Sequence, residues 1–149
     1  MAANTSPIYT RTSDVQLAGS VIGSSANTAT DGTGANSTLI FTADATEGSF
    51  VHKVILKPIS TVAATVARVF YCSATGAFTP GTTNTASNST MVGEVGIVAW
   101  TASNTAASPM YEIPINFALP ASTKLFITFG TSTGAGTTGF NPLVIAGKY

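Results

Sequence analysis

The amino-acid sequence predicts an all-β fold, a single-domain antiparallel sandwich of about eight strands in two sheets. Apolar and polar residues alternate with a period of two in several short segments, and loops rich in Gly, Asn, Ser and Thr separate them. No stretch beyond a few residues has the spacing of an amphipathic helix. The length of 149 residues suits one domain with one hydrophobic core. Eight short strands without helices favour a jelly roll, with an up-and-down barrel as the alternative.

Residues 110–119 have the most regular alternation in the chain. One face of this predicted strand carries its apolar residues, Tyr111, Ile113, Ile115, Phe117 and Leu119. The opposite face carries Glu112, Pro114 and Asn116. Because proline has no backbone N–H to donate to a neighbouring strand, we predict that Pro114 lies in an edge strand or at a bulge.

Seven further strands complete the predicted sandwich domain, which covers residues 15–149. They lie at 15–22, 37–43, 50–57, 64–72, 91–100, 124–129 and 142–147. In the third of these segments, strict alternation places His52 in the same row as Val54 and as Phe50 and Leu56. We therefore expect His52 at the edge of the core.

Two segments outside the predicted strands are candidates for contacts with other molecules. Residues 1–14 are a polar lead-in that contains Pro7, Ile8 and Tyr9, and they are predicted to form an extended N-terminal arm. A floppy terminus is the alternative. The segment 73–90 is long and uncharged, which predicts an exposed loop. Loops of this length are usually either contact elements or disordered.

The segment 64–72 is apolar on both of its predicted faces. One face carries Ala67, Val69 and Tyr71. The other carries Val66, Phe70 and Cys72. A strand in a two-sheet sandwich needs only one face against the core. We expect the second face to be covered by a long loop or by another subunit.

The charge composition excludes several classes of partner. Charged residues make up only 8% of the chain, and six basic residues balance six acidic ones. The basic residues are scattered, so the chain lacks the clusters that bind nucleic acid or an anionic membrane. A surface with little net charge is better suited to packing against other proteins.

The sequence also bears on the compartment in which the chain is made. Neither uncharged stretch, 69–93 or 125–147, offers the roughly 20 consecutive apolar residues of a membrane-spanning helix. The N-terminus lacks the basic and apolar regions of a secretory signal, and Cys72 is the single cysteine, which has no partner for an internal disulfide. We expect synthesis in a cytosol.

Two sequence matches to catalytic or cofactor motifs fail on their context. Residues 130–134 match the G-x-S-x-G nucleophile elbow, but no helix, acid or histidine follows Ser132. Residues 134–139 match the G-x-G-x-x-G dinucleotide motif, yet no helix follows and the chain ends ten residues later. We therefore predict no catalytic residue and no cofactor, and we do not expect an enzyme.

The sequence gives little support for a metal site or a sugar-binding site. With one His and one Cys, a zinc site would need carboxylates as its other ligands. Asp44 and Glu47 share a turn and could offer oxygens to calcium, but we interpret the turn as solvated and predict no metal site. Trp100 ends a predicted strand, where its ring is either a sugar-binding platform or a lid over the core, and we favour the lid.

Several motifs resemble those of small virion proteins encoded by tailed bacteriophages. The similarity spans most of the chain. The matching segments are 1–9, 30–34 with 39–43, 65–70, 118–125 with 129–131, and 147–149. Among phage proteins of this size and β-rich composition, the chain is most similar to head decoration proteins, also called cement proteins.

This resemblance implies a role in the virion without catalytic residues. It implies a homotrimer on the outer capsid surface, bound to the major capsid protein and stabilising contacts between capsomers. Pro7, Ile8 and Tyr9 of the arm, with Val66, Arg68 and Phe70 on the second apolar face, are the expected contact residues. A tail or fibre module that binds a host glycan is the alternative.

Overall fold

Nine strands form within residues 10–19, 22–134 and 138–149, which are the parts of the chain that the computed structural model describes. These ranges contain no helix. In chain order the strands are β1 (Thr12–Ser13), β2 (Gln16–Leu17), β3 (Thr38–Thr42), β4 (Ser49–Leu56), β5 (Thr65–Cys72), β6 (Ser89–Ile97), β7 (Tyr111–Leu119), β8 (Lys124–Phe129) and β9 (Leu143–Lys148).

The strands form two antiparallel sheets with the topology of a jelly roll. The five-stranded sheet has the order β1-β9-β4-β7, with β2 also paired to β9, and the four-stranded sheet has the order β3-β8-β5-β6. The pairs are nested, because β5 pairs with β6, β4 with β7, β3 with β8, and both β1 and β2 with β9. This nested antiparallel pairing, in which the first strands pair with the last and the middle strands pair with each other, is the connectivity of a jelly roll. The predicted sandwich and jelly roll are confirmed, and the up-and-down barrel is wrong.

The prediction for Pro114 is confirmed by the position of β7. This strand lies at the edge of the five-stranded sheet. An edge strand has a neighbour on one side only, so a residue without an N–H is tolerated there. The inner face of β7 carries three buried residues, Ile113, Ile115 and Leu119. Tyr111 and Phe117 are half-buried and pack against the same core.

The predicted row of Phe50, His52, Val54 and Leu56 is wrong at its first two positions. Between Val51 and Lys53 the pairing register shifts against both neighbouring strands, and Asn116 on β7 has a φ of 53° at the same level. This bulge changes the alternation, so that Val51 joins Val54 and Leu56 in the core. His52 is exposed and lies edge-on to Phe50, with 4.9 Å between ring centroids.

The predicted arm ends earlier than residue 14. Thr12 and Ser13 form β1, which pairs with Lys148 and Gly147 of β9, and the backbone N–H of Asp14 donates to Ala146. Residues 10–14 therefore belong to the five-stranded sheet. Pro7, Ile8 and Tyr9 lie outside the described residues.

The main core lies between the two sheets. Its fully buried side chains come from both of them and include Phe41, Val54, Leu56, Val69, Ile113, Leu119, Leu125, Ile127, Phe140 and Val144. Phe129 and Phe140 stack near one end, with 5.5 Å between ring centroids. Trp100 is half-buried and packs against this core, where it pairs with Val62, which supports its interpretation as a lid.

Candidate interaction surfaces

The outer face of the four-stranded sheet is covered by the chain's own loops. Phe70, Cys72 and Phe126 form a second buried cluster on this face, and each is 0% exposed. The rings of Phe70 and Phe126 stack at 5.1 Å, and Phe78 from the following loop packs on Phe126 at 5.5 Å. Of the two coverings expected for this face, the loop is therefore the correct one here. Phe70 offers no surface to another subunit, so its prediction as a contact residue is wrong.

A buried asparagine joins the two loops that cover this cluster. The Nδ2 of Asn84 donates to the carbonyl oxygens of Gly32, at 2.7 Å, and Gly34, at 3.1 Å, and its Oδ1 accepts from the backbone N–H of Gly81. Residues 22–37 and 73–88 are thus held together over the sheet. The loop predicted over 73–90 is long and uncharged, but it is partly buried and ends at Ser89, where β6 begins.

Val66 and Arg68 lie beyond the covered part of this face. Val66 is half-buried, and the Arg68 side chain is 16% exposed, with its Nε 3.6 Å from Oε2 of Glu94. Nε and Nη1 of Arg68 and Oγ1 of Thr128, its cross-strand neighbour, are buried without a hydrogen-bond partner among the described residues. The guanidinium therefore has unused donor capacity.

The few charges of the chain are largely neutralised within it. Four ion pairs join eight of the charged side chains: Arg11 with Glu47, Lys53 with Glu112, Arg68 with Glu94, and Lys148 with Asp44. Lys124 is buried, and its Nζ donates to the carbonyl oxygens of Ala74 and Ser122. Few charges are therefore left to attract a charged ligand or to repel another protein.

Asp44 shows how these carboxylates are held. Its Oδ1 accepts from the backbone N–H groups of Thr46 and Glu47, and its Oδ2 lies 3.4 Å from the Nζ of Lys148. The two backbone hydrogen bonds, with the lysine adding less, hold the pKa of Asp44 below its usual value of 3.8. The side chains of Asp44 and Glu47 therefore stabilise the turn and form its ion pairs with Lys148 and Arg11.

The lowered pKa predicts a loss of stability in acid. A carboxyl whose folded pKa is depressed stabilises the fold above its unfolded pKa and ceases to do so as the pH falls through the folded pKa. We expect the thermal stability of the wild type to fall below about pH 4. The thermal stability of the Asp44→Asn variant should fall less over the same pH interval, because it has no carboxyl to protonate at this position. Thermal melts from neutral pH down to about pH 2 measure this difference. Identical profiles for the two proteins would contradict the assignment.

Three loops meet at one end of the sandwich and carry one charged residue among them, the exposed Lys57 that follows β4. The segments 58–67, 95–111 and 125–147 are uncharged, and they contain the rest of the β4–β5 loop and the whole of the β6–β7 and β8–β9 loops. Backbone hydrogen bonds tie these loops together, from Ile59 to Gly139, from Ala63 to Thr133, and between Val62 and Trp100 in both directions. We call residues 58–64, 98–110, 130–134 and 138–142 the uncharged end.

The uncharged end exposes large apolar side chains. Ile59 is 53% exposed, Val98 is 64% exposed and Met110 is 60% exposed. Val98 donates its N–H to the hydroxyl of Tyr111, which follows Met110 and pairs with Leu56 of β4. Residues 101–107, in the same end, are all exposed. Large apolar side chains exposed at one end of a sandwich are typical of interaction sites.

Sequence reasoning missed this surface, although its signal is present. The uncharged stretch 125–147 is visible in the sequence, and 95–111 is equally free of charge. What the sequence does not state is that these loops meet. Their proximity follows from the jelly-roll order, which brings alternate loops to the same end of the sandwich.

The motifs that resemble catalytic sites are used structurally where they are described. The hydroxyl of Ser132 donates to the carbonyl oxygen of Ser24 at 2.8 Å, and residues 135–137 of the glycine-rich match lie outside the described residues. The described residues contain no group of three or more His, Cys, Asp or Glu placed to hold a metal ion. Within the same residues, no helix is long and apolar enough to cross a membrane.

A shallow cleft of about 230 Å³ lies beside the β2–β3 loop. Residues 22–25 and 35–38 form its walls, largely with hydroxyl and amide groups, above Ile127 and Phe129 of β8. No charged residue is among the described residues that line it. Such a lining suits a small neutral ligand and offers no group with the acidity that general acid–base catalysis needs.

Comparisons with known proteins give one weak structural similarity. A chain in the capsid asymmetric unit of the cyanophage Pam1 aligns over 97% of this chain and 91% of that chain, with a TM-score of 0.37 and 15% sequence identity. This similarity is too low to transfer a function. A scan against protein-family models gives no match, and a search of curated proteins finds no match.

Proposed function

We propose that the chain is a decoration protein of a tailed bacteriophage head, which binds the outer surface of the mature capsid and stabilises the contacts between capsomers. The pairing or burial of most of its charges, which leaves a surface suited to protein contacts, is the observation that carries this proposal. The jelly-roll topology and the sequence resemblance to small virion proteins support it.

Stabilisation of the head would follow from differential binding. A protein that binds the expanded shell more tightly than the immature one shifts the equilibrium toward the expanded state. The proposed partners are the major capsid protein and two further copies of the chain in a homotrimer, with no contact to nucleic acid or membrane. The protein would be made in the host cytoplasm and would lie on the capsid exterior.

The proposed contact residues are fewer than the sequence suggested. Val66 and Arg68 remain candidates because part of each side chain reaches the surface. Pro7, Ile8 and Tyr9 also remain candidates on sequence grounds. Phe70 is withdrawn because it is buried within the chain.

A binding assay with expanded capsids that lack this protein tests the proposal. We expect the purified protein to co-sediment with these capsids and to raise the temperature at which they disassemble. Because its charges are paired internally, raising the salt from about 0.1 to about 0.5 M should change the affinity by less than about threefold. Failure to co-sediment would refute the proposal, and a steep loss with salt would show that charged groups make the contact.

The glycan-binding alternative is favoured by one observation, the neutral cleft beside the β2–β3 loop. Hydroxyl and amide groups on its walls could hydrogen-bond a sugar, but Trp100, the residue best suited to stack on one, packs against the core instead. Binding to a host glycan on an array, together with absence from the capsid, would support this alternative.

A further inference from the structure

We infer that the uncharged end is the surface that binds the capsid, and that its partner is a largely apolar patch on a neighbouring capsid subunit. This inference rests on the proposed function and adds to it the site and the chemistry of the contact. It differs from the sequence-based expectation, which placed the contact on the arm and on the second face of residues 64–72.

The exposed apolar residues are the first argument. Of the five large hydrophobic side chains that are most exposed in the described residues, three belong to the uncharged end: Ile59, Val98 and Met110. They come from two loops that are joined by the backbone hydrogen bonds between Val62 and Trp100. The hydroxyl of Tyr111 accepts from Val98 and so links the two ends of the β6–β7 loop. Unlike Val62 and Phe140 of the same end, these three side chains do not enter the core, so their exposure to water indicates a surface that another molecule covers.

The distribution of charge identifies the chemistry of the partner. All four ion pairs lie outside the uncharged end, on the faces of the sheets or beside the turn that precedes β4. Two cations border this end: Lys57 is exposed and follows Leu56, the pairing partner of Tyr111, and the guanidinium of Arg68 lies beside Gly130. Away from these two groups, an ionised side chain of the partner would lose its hydration and gain no opposite charge in return. The complementary surface must therefore be apolar where it meets Val98 and Met110, and it gains from a carboxylate only at the edge beside Lys57 or Arg68.

The loops of the uncharged end are prearranged for binding. Backbone hydrogen bonds of 2.9 to 3.1 Å connect Ile59 with Gly139, Val62 with Trp100, and Ala63 with Thr133. The N–H of Ala102 donates to the hydroxyl of Thr61, which ties the long β6–β7 loop to the β4–β5 loop. A surface that is already ordered loses less conformational entropy on association than a free loop.

Charge placed on this surface tests the inference. We expect Val98→Lys and Met110→Lys each to weaken co-sedimentation with expanded capsids by about 30-fold or more, because a buried lysine would have no partner. Val15→Lys is the matched control. Val15 is 48% exposed and lies beside β1 and β2, at the opposite edge of the five-stranded sheet from β7. This control should bind as the wild type does, and all three variants should melt within a few degrees of it.

Each outcome decides between named alternatives. If the wild type binds capsids and both end variants bind equally well, the inference is wrong while the proposed function stands. If the wild type does not bind, both are wrong. Loss of binding by Val15→Lys alone would move the contact to the β1–β2 edge. If light scattering shows that Val98→Lys disrupts self-association of the free protein, a second copy is the occupant and the inference is overturned.

Discussion

Phe70→Ala is expected to lower the free energy of unfolding by about 3–5 kcal/mol, the usual cost of truncating a buried phenylalanine. The Phe70 ring is 0% exposed, stacks on Phe126 and lies under the β2–β3 loop near Gly32. Truncation removes this stacking and leaves a cavity between the sheet and the loop. Chemical denaturation of the purified variant, monitored by near-ultraviolet circular dichroism, measures the loss.

The same experiment separates a loop from a subunit as the cover of this face. Val66→Ala, on the same strand, is the control, and we expect a loss below about 1.5 kcal/mol because Val66 is only half-buried. If the cover is the chain's own loop, the loss for Phe70→Ala will not depend on protein concentration. A loss that shrinks as the protein is diluted would show that another copy covers Phe70.

Gly48→Ala is expected to lower the free energy of unfolding by about 2–4 kcal/mol, through two effects that add. The φ of Gly48 is +77°, a conformation that residues with a Cβ rarely adopt. A Cβ at this position would lie 2.4 Å from the backbone oxygen of Leu119, so the turn and the end of β7 would have to separate. Denaturation of the variant by urea measures the loss.

Gly19→Ala isolates the conformational part of this effect. Gly19 has a similar φ of +73°, but a Cβ there would have no heavy atom within 4 Å. We expect a loss of about 1 kcal/mol for this variant, the cost of the left-handed conformation alone. Equal losses for the two variants would mean that the contact with Leu119 is relieved without cost.

The strands were predictable because their signal is local. Burial of one sheet face requires alternation, and the three segments with the clearest period of two became β4, β7 and β8 within one residue of the predicted bounds. The candidates at 64–72 and 142–147 became β5 and β9 with similar accuracy. The exception within β4 shows the limit. The bulge at His52 depends on the pairing with β7 and β9. The sequence of residues 50–57 alone therefore does not predict that the side chains before and after the bulge alternate differently.

The sequence predicted that the outer sheet face is covered, but it did not predict whether a loop or another subunit covers it. Two apolar faces on 64–72 require a second cover, but whether loop or subunit supplies it depends on where residues 22–37 and 73–88 fold. Asn84, which fixes that arrangement, looks in the sequence like one more polar loop residue. Its hydrogen bonds to Gly32 and Gly34 span about 50 positions, beyond the reach of any local pattern.

The candidate site was predictable in its chemistry but not in its place. Low charge content indicated a protein-binding surface from composition alone. The uncharged end, however, is assembled from loops that are separated by two strands and brought together by the sheet order. Val98 and Met110 fall at strand ends, where an apolar residue in the sequence is as readily assigned to the core as to the surface.

A cryo-electron microscopy reconstruction of the mature virion tests the central claim most directly. We expect density for this jelly roll on the outside of the head, with residues 58–64 and 98–110 facing the capsid shell and the turn at 43–48 facing solvent. Density on the tail alone, or a head-bound jelly roll that meets the shell through its ion-paired surfaces with Val98 and Met110 in water, would contradict the account.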